Sequence, residues 1–182
     1  MKSVLVLFAH PRLESSRVNI RLLAAARAVA NVHICDLYEE YPDFDIDVPR
    51  EQKRLREHDV LVLHHPIFWY AAPPLVKQWI DLVLEFGWAY GPGGNALDGK
   101  QVFQVVTSGG TEEAYQHEGR NKHTISEYLW PFEQTARLCR MDYGEVFVVH
   151  GTHQLSANEI EGHANRYQHF LRGLVHGNVI PD

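Results

Sequence analysis

The sequence predicts an α/β fold built on a five-stranded parallel sheet, for two reasons. Five short apolar runs alternate with longer segments of helical periodicity, a pattern typical of parallel strands joined by helices. The run over residues 60–63 is apolar on both faces, as expected of a strand that helices cover from both sides. The chain has 182 residues, enough for one full core, so we expect residues 1–182 to form a single domain.

Local patterns place each strand and helix along the chain. We expect strands over residues 3–9, 32–35, 60–63, 101–106 and 144–150. We expect helices over residues 19–30, 49–57, 75–86, 121–140 and 156 to about 174, an interruption at Trp130-Pro131, and an irregular loop over 36–48. Ser156 and Glu159 have capping-box spacing, and Asn31 suits the end of the first helix. At this length we expect the strand order 2-1-3-4-5 of a flavodoxin-like three-layer sandwich.

The composition argues against several classes of function. A net charge of −6 disfavours general binding to nucleic acid or anionic lipid. Cys35 and Cys139 lack CxxC spacing, so we expect buried free thiols and a cytoplasmic protein. No apolar run reaches the ~20 residues of a membrane span, and the first strand begins too early for a secretion signal. The 12 histidines form no convincing ligand set, and Asp43, Asp45 and Asp47 lack an EF-hand pattern, so we expect no metal site.

The loop after the first strand, from His10 to Asn19, is the first candidate for a binding site. Ser15, Ser16 and Asn19 supply hydroxyl and amide groups beside a helix N-terminus, where the helix dipole favours an anion. Arg17 adds a positive charge. These residue types suit a phosphate group, although the loop is neither a GxGxxG nor a Walker motif. For this loop taken alone, an ordinary helix cap is the alternative.

Two further loops follow the third and fourth strands. Pro66 to Trp69 places aromatic rings at a strand end, where they are costly to expose unless they cover a flat ligand or a dimer partner. Thr107 to Gly110 offers hydroxyl groups and close backbone approach, with a simple turn as the alternative. Ligands of open parallel sheets bind beyond the carboxyl ends of the strands, so the three loops together predict one pocket for a planar ligand.

Several motifs together resemble the NAD(P)H:quinone oxidoreductase family. They are His10-Pro11, Ser16 and Asn19 at the helix start, HPIFWYAAPPLVKQWID over 65–81, GWAYGPGGNALDGK over 87–100 and TSGG over 107–110. The resemblance covers nearly the whole chain. Within it, YPDFDIDVPREQ over 41–52 and LWPFEQTARLCRM over 129–141 are most similar to the small bacterial ancillary proteins of glutathione-regulated potassium-efflux antiporters.

The resemblance implies a flavin held by the three loops. FMN is favoured over FAD, because the chain lacks the C-terminal extension of the larger members of the family. The implied flavin contacts are His10, Ser16, Arg17, Val18, Asn19, Pro66, Ile67, Phe68, Trp69, Thr107, Ser108, Gly109 and Gly110. Tyr90 and Tyr115 are the implied substrate-binding residues, and Trp69 and Trp88 are expected to join them as stacking walls, with core or dimer contacts as the alternative. No proton donor is assigned, although Tyr115 matches a tyrosine of the family.

The activity implied by the resemblance is two-electron, ping-pong hydride transfer from NAD(P)H through the flavin to a quinone. The resemblance also implies a homodimer and docking on the cytoplasmic face of a potassium/proton antiporter, and the acidic and aromatic loop over residues 41–48 is the expected exposed docking surface. Two alternatives stay open: a regulatory antiporter subunit without physiological turnover, and a flavodoxin-type one-electron carrier. The His-Pro-Arg start of the first loop disfavours the carrier, whose first loop would be rich in Thr, Ser and Gly.

Overall fold

A computed structural model describes residues 1–178, so residues 179–182 of the predicted domain lie outside the described part. The sheet has five parallel strands in the order 2-1-3-4-5, which confirms the predicted topology. The strands are β1 Val4–Phe8, β2 Val32–Asp36, β3 Val60–Pro66, β4 Gln101–Thr107 and β5 Asp142–Val149. The helices are α1 Arg17–Arg27, α2 Leu37–Glu40, α3 Val48–Glu57, α4 Pro74–Val83, α5 Ile125–Tyr128, α6 Trp130–Leu138 and α7 Ala157–His176, with 3₁₀ turns at Leu13–Ser15 and Glu112–Tyr115.

Two apolar cores lie on opposite faces of the sheet. Leu5 and Leu7 of β1 belong to the core that also contains side chains of α3 and α4, whereas Val4 and Val6 belong to the core formed with α1 and α7. Successive side chains of a strand point to opposite faces, so one unbroken apolar run supplies both cores. This arrangement leaves the carboxyl ends of the strands as the place where the connecting loops gather.

Strand β3 runs to Pro66. The predicted end at Leu63, before His64 and His65, is therefore wrong. His64 and His65 continue the ladder with β4. Both imidazoles are fully buried and find internal partners: Nε2 of His64 is 3.1 Å from Oδ1 of Asn19, and Nε2 of His65 is 3.1 Å from Oε1 of Gln104. Their polarity is thereby satisfied inside the fold, and the strand ends at the proline, which has no N–H for a ladder.

Some helix ends differ from the predicted ones, because caps rather than composition set them. Helix α1 ends at Arg27 with Ala28 as its C-cap, and Asn31 instead adopts a left-handed conformation in the turn before β2. The predicted helix over 121–140 begins only after Thr124, the N-cap of α5, and breaks at Leu129 before α6. The capping box of Ser156 at the start of α7 is confirmed.

The segment over residues 36–48 was predicted to be an irregular and exposed loop, and both expectations need correction. It contains α2, whose start is capped by the Asp36 side chain. Tyr41 is buried and Phe44 is half-buried, because these rings turn into the core on the α3 and α4 side of the sheet. Asp43 and Asp45 stay exposed. The exposed surface of this loop is therefore acidic but not aromatic.

The charged side chains over residues 51–57 predict a solvated face for helix α3, but one of them is buried. Glu51 is 0% exposed and accepts hydrogen bonds from the Tyr41 hydroxyl at 2.6 Å and the Trp79 indole N–H at 2.9 Å. It also pairs with Arg54. A buried carboxylate is tolerated only with such partners, so Glu51 fastens the acidic loop and α4 to α3.

The two cysteines are buried free thiols, as predicted. Burial raises the pKa of Cys35 to about 12, with the nearby Glu51 carboxylate adding to the shift, so this thiol stays protonated and unreactive at neutral pH. Within the described residues, no helix combines the length and the apolar character needed to cross a membrane.

Candidate functional site

A cavity of about 280 Å³, here called the first cavity, opens beyond the carboxyl ends of the strands. Its lining residues are His10, Arg12, Ser15, Ser16, Asn19, Pro66, Ile67, Phe68, Thr107, Gly109, Thr152 and His153. The cavity thus joins the loops after β1, β3 and β4 with a fourth loop, after β5. None of these lining residues is acidic, so the cavity suits an anionic or oxygen-rich ligand.

Helix α1 begins at the wall of the first cavity. Ser16 is its N-cap and accepts a hydrogen bond from the N–H of Asn19 at 3.2 Å. The first N–H groups of a helix have no partner within the helix, so those of Arg17 and Val18 are available to an anion. The Val18 side chain is buried in the core, and only its backbone can serve a ligand.

His10, at the end of β1, is held in one neutral form. Its Nδ1 accepts a hydrogen bond from the N–H of Arg12 at 3.1 Å, so the proton of the neutral ring sits on Nε2. Burial lowers the pKa of His10, and the carboxylate of Glu14 only partly opposes this shift. His10 therefore brings an N–H donor, rather than a positive charge, to the first cavity at neutral pH.

Asn19 connects the first loop to the third. Its side chain is 2% exposed, and Nδ2 donates to Ser16 Oγ at 2.9 Å and to Thr107 Oγ1 at 3.1 Å. Thr107 follows Asn19 by 88 positions and reaches it because β1 and β4 both flank β3. A single amide thereby holds two cavity-lining hydroxyl groups in fixed positions.

The second loop makes a tight turn between Phe68 and Ala71, which exchange backbone hydrogen bonds of 2.9 and 3.1 Å. The two residues inside the turn, Trp69 and Tyr70, have left-handed backbones with φ of 49° and 65°. This conformation costs a residue with a bulky side chain about 1–2 kcal/mol, and Asn-Gly is the usual choice. The Trp69 side chain is 93% exposed, so no packing within the described chain offsets that strain. Strain of this kind is concentrated at binding sites.

The third loop needs both of its glycines for close approach. A Cβ at Gly109 would lie 3.0 Å from the His153 ring, and one at Gly110 would lie 2.9 Å from the Tyr115 ring. The Ser108 side chain lines neither cavity and donates to the Gly110 carbonyl at 2.9 Å, so it braces the turn from within. Without side chains at Gly109 and Gly110, the backbone of this loop can approach a ligand closely.

A second cavity of about 200 Å³ adjoins the first, and the two share Ile67 and Gly109. Its lining residues are Ile67, Trp69, Tyr70, Gly109, Gly110, Tyr115, Arg120 and Asn121. The Tyr70 ring stacks on Tyr128 with centroids 5.1 Å apart. Burial raises the pKa of Tyr115, so its hydroxyl remains a hydrogen-bond donor at neutral pH. This cavity offers a partly aromatic wall together with one cationic side chain.

Two of the predicted stacking residues lie outside both cavities. Tyr90 packs edge-on against Phe86 with centroids 5.7 Å apart. The Trp88 ring lies under the Arg56 guanidinium at 5.3 Å and packs against the core that contains α3 and α4. Within one copy of the described chain, neither ring faces the cavities.

Sequence reasoning missed several residues of the site. Thr152 and His153 line the first cavity and a narrower cleft of about 120 Å³ beside the start of α1. The sequence could have indicated Thr152 and His153, because both follow the last parallel strand. The carboxyl ends of parallel strands lie at one edge of the sheet. Tyr70 directly follows Trp69 in the same aromatic stretch, whereas Arg120 and Asn121 of the second cavity had no comparable signal, since the turn that carries them follows no simple pattern.

An open parallel sheet of this order, with a cavity of hydrogen-bond donors at its carboxyl edge, defines a flavodoxin-like protein. A family described as "Flavodoxin-like fold" matches residues 2–171 of the chain. The ancillary protein KefG of the glutathione-regulated potassium-efflux system from Enterobacter sp. (strain 638) is 44% identical over 172 residues, which cover 94% of each chain.

Solved structures agree with this assignment. General stress protein 14 from Treponema denticola, in complex with FMN, superposes with a TM-score of 0.90 at 38% identity and covers 94% of this chain and 99% of its own. An NADPH-quinone reductase from P. pentosaceus gives 0.84 at 33% identity, with 92% and 96% covered. A chain described as a thermophilic tryptophan halogenase from Streptomycin violaceusniger gives 0.90 at 41% identity, with 92% and 97% covered. The chain belongs to the flavodoxin-like family that includes the ancillary proteins of glutathione-regulated potassium-efflux systems.

Proposed function

We propose that the protein is an FMN-dependent NAD(P)H:quinone oxidoreductase. The observation that carries the proposal is the first cavity, where N–H and hydroxyl donors from separate strand-end loops converge without any acidic lining residue. Such a set of donors matches the phosphate and carbonyl oxygens of a flavin nucleotide. The FMN complex and the NADPH-quinone reductase among the similar structures support the same assignment.

The residues of the first cavity fit FMN along its length. The N-terminus of α1, from Ser16 to Asn19, would hold the phosphate together with Thr152. The backbone of the second and third loops, at Ile67 and Gly109, would border the ring system where both cavities meet. A bound flavin would supply two-electron hydride transfer, while the protein binds, orients and stacks the reactants.

The second cavity suits the alternating occupants of a ping-pong reaction. It adjoins the first cavity at Ile67 and Gly109, so a nicotinamide or quinone ring there would lie beside the flavin ring. The Tyr115 hydroxyl would donate a hydrogen bond to the oxygen of the substrate, and Arg120 would attract a negatively charged group. Because both substrates would use one cavity in turn, NAD(P)+ must leave before the quinone binds.

A visible spectrum of the purified protein, followed by mass identification of the released chromophore, tests the cofactor. We expect a yellow protein that releases FMN rather than FAD. Oxidation of NAD(P)H should require a quinone, and tryptophan with halide should not replace it, which separates the proposal from the halogenase activity named for one similar chain. Colourless protein that FMN cannot reconstitute would end the proposal.

We further propose that the protein is an ancillary activator of a glutathione-regulated potassium/proton antiporter, working at the cytoplasmic face of the membrane. The similarity to KefG over 94% of the chain supports this role. The exposed carboxylates of Asp43 and Asp45 offer a docking surface, and Glu51 holds their loop through its 2.6 Å hydrogen bond with Tyr41. A partner with a basic surface would fit this loop.

Charge reversal tests the docking surface. The variant Asp43→Lys with Asp45→Lys should lose co-purification with the antiporter and keep its quinone reductase activity. Asp142→Lys with Glu145→Lys changes the same charge on β5, at the opposite edge of the sheet from β2, and should keep both properties. Equal loss in the two double variants would contradict a specific role for the loop.

A homodimer is the proposed assembly. Trp69, Phe86 and Trp130 are large apolar side chains that are more than half exposed in a single copy of the chain, and a second copy would cover such rings. Light scattering of the purified protein should give twice the mass of one chain. A monomer at micromolar concentration would contradict this proposal without touching the cofactor assignment.

A further inference from the structure

A row of buried polar side chains runs from helix α7 to the wall of the first cavity. The Tyr167 hydroxyl is 3.2 Å from Nδ1 of His64, and Nε2 of His64 is 3.1 Å from Oδ1 of Asn19. Tyr167 and His64 are 0% exposed, so neither side chain can exchange these partners for water. We call the hydrogen-bonded residues Tyr167, His64 and Asn19 the relay.

The chemistry of the groups gives the relay one direction. Burial, with smaller contributions from the neighbouring His65 and His10, lowers the pKa of His64 to about 3, so the ring is neutral and carries one N–H. The amide oxygen of Asn19 can only accept, so the His64 proton sits on Nε2. Nδ1 is then an acceptor, and the Tyr167 hydroxyl donates to it.

The opposite direction leaves groups unsatisfied. If the amide of Asn19 were flipped, its N–H group would donate to Nε2, and Nδ1–H would donate to the Tyr167 oxygen. The buried hydroxyl hydrogen of Tyr167 would then lack an acceptor, as would the second amide N–H of Asn19. Buried donors without partners are strongly disfavoured, so the first direction is preferred.

The direction of the relay decides what the cavity wall presents. With its oxygen committed to His64, Asn19 uses both N–H groups as donors, to Ser16 Oγ at 2.9 Å and Thr107 Oγ1 at 3.1 Å. Each hydroxyl therefore accepts from the amide and keeps its own hydrogen for another partner. Both residues line the first cavity, so those hydrogens are available to a ligand there.

We propose that His64 and Tyr167 are positioning residues, which hold Asn19 so that Ser16 and Thr107 act as hydrogen-bond donors and select oxygen acceptors such as those of FMN. This inference rests on the proposed flavin function for the identity of the ligand. The direction of the relay itself is a property of the free protein. A flipped amide would turn both hydroxyls toward Asn19 and remove two donors from the cavity.

Three variants separate positioning from packing, with FMN affinity measured by quenching of flavin fluorescence on the full chain freed of flavin. Glutamine carries one amide donor and one carbonyl acceptor, so His64→Gln preserves the direction and should bind FMN within about threefold of the natural protein. His64→Leu removes donor and acceptor, and Tyr167→Phe removes the fixing hydroxyl. We expect both to bind FMN about tenfold more weakly.

A packing control accompanies these variants. The Phe147 ring lies 5.4 Å from that of Tyr167, so Phe147→Leu loosens the same core and leaves the hydroxyl in place. It should lower the melting temperature while FMN affinity stays within about twofold. If Phe147→Leu weakens FMN binding as much as Tyr167→Phe does, the relay is only structural and the inference fails.

Nitrogen-15 NMR of the flavin-free protein reads the direction without any ligand. The imidazole signals of His64 should show a neutral ring protonated at Nε2, and Tyr167→Phe should shift population toward the Nδ1–H form. An Nδ1–H ring or an imidazolium at neutral pH in the natural protein would overturn the inference. Failure to bind FMN with the Nε2–H form intact would instead count against the proposed function.

Discussion

The first and second cavities adjoin at Ile67 and Gly109, but their walls are held in different ways. Behind the first cavity, Asn19 uses its oxygen and both N–H groups in hydrogen bonds to the buried His64 and Thr107 and the half-buried Ser16. At the rim of the second, Trp69 is exposed in a left-handed turn, and Arg120 is exposed as well.

This difference matches two kinds of binding. Donors that are already fixed bind a ligand without further ordering, which favours tight and lasting association with a cofactor. Exposed and strained residues can adjust to successive ligands, which favours exchange of substrates. Changes in the first cavity should therefore alter cofactor affinity and stability, and changes in the second should alter turnover.

The largest expected effect is a loss of folding stability at low pH, caused by His64 behind the wall of the first cavity. The pKa of His64 is lowered to about 3 in the folded chain, mainly by burial, from 6.5. The unfolded chain therefore binds the proton more readily, so the stability linked to His64 is complete above pH 6.5 and is lost as the pH falls toward 3. The loss is about 1.4 kcal/mol per pH unit.

Urea titrations at pH 7 and pH 4.5 measure this effect. The natural protein should lose roughly 2–3 kcal/mol more of its free energy of unfolding than His64→Gln does. Asn121→Ala, at the second cavity, should keep the steep dependence of the natural protein. If the free energy of unfolding changed equally between the two pH values in the natural protein and in His64→Gln, then His64 would not be buried in its neutral form.

Truncating the central amide comes next in size. Asn19→Ala removes the donors to Ser16 and Thr107 and leaves the His64 N–H without an acceptor. We expect the loss to make the free energy of FMN binding less favourable by about 2–3 kcal/mol. FMN should bind about 100-fold more weakly in a fluorescence titration. The matched truncation Asn121→Ala should leave FMN affinity within about twofold. Equal effects of the two truncations would mean that cofactor binding is not confined to the first cavity.

A change in the second cavity should affect turnover alone. Tyr115→Phe removes a buried donor from this cavity, so kcat/KM for the quinone should fall about tenfold. FMN affinity should be unchanged. Tyr128→Phe is the control, because that hydroxyl donates to the backbone carbonyl of Asn121 at 3.1 Å and does not line the cavity. If Tyr115→Phe released the flavin instead, the assignment of the second cavity to substrate would be wrong.

The smallest effect is expected at the strained turn. Asparagine tolerates the left-handed backbone better than tryptophan does, so Trp69→Asn should raise the free energy of unfolding by about 0.5–1 kcal/mol. Urea unfolding at concentrations low enough to dissociate the proposed homodimer measures the change. A loss of stability under those conditions would show that the turn is not strained, whereas a loss seen only where the homodimer forms would reflect covering of the Trp69 ring by the second copy.

Much of the fold could be predicted because its signals are local. Apolar runs and helical periodicity were enough for five parallel strands and their order, and the capping box at Ser156 was enough for the start of α7. The first cavity gathers residues from all three predicted loops, since parallel strands end at one edge. Their individual roles in binding stay predictions.

Errors arose where a polar residue has distant partners. Glu51 looked like a surface residue of α3, but Trp79 and Tyr41 satisfy it in the core. The histidine pair looked like a strand end, but Asn19 and Gln104 satisfy its rings. Whether a polar side chain can be buried depends on the hydrogen-bond partners that the fold brings to it. Local sequence does not encode those partners.

The sequence by itself therefore determined the strands, their order and the edge of the sheet at which a ligand would bind, because these follow from short-range periodicity and chain connectivity. Only the tertiary structure decided which way the donors in the first cavity point. That direction comes from contacts across 45 and 103 positions of the chain, from His64 to Asn19 and from Tyr167 to His64. Hydrogen-bond direction is set by partners in space, and those partners exist only once the sheet and α7 have come together.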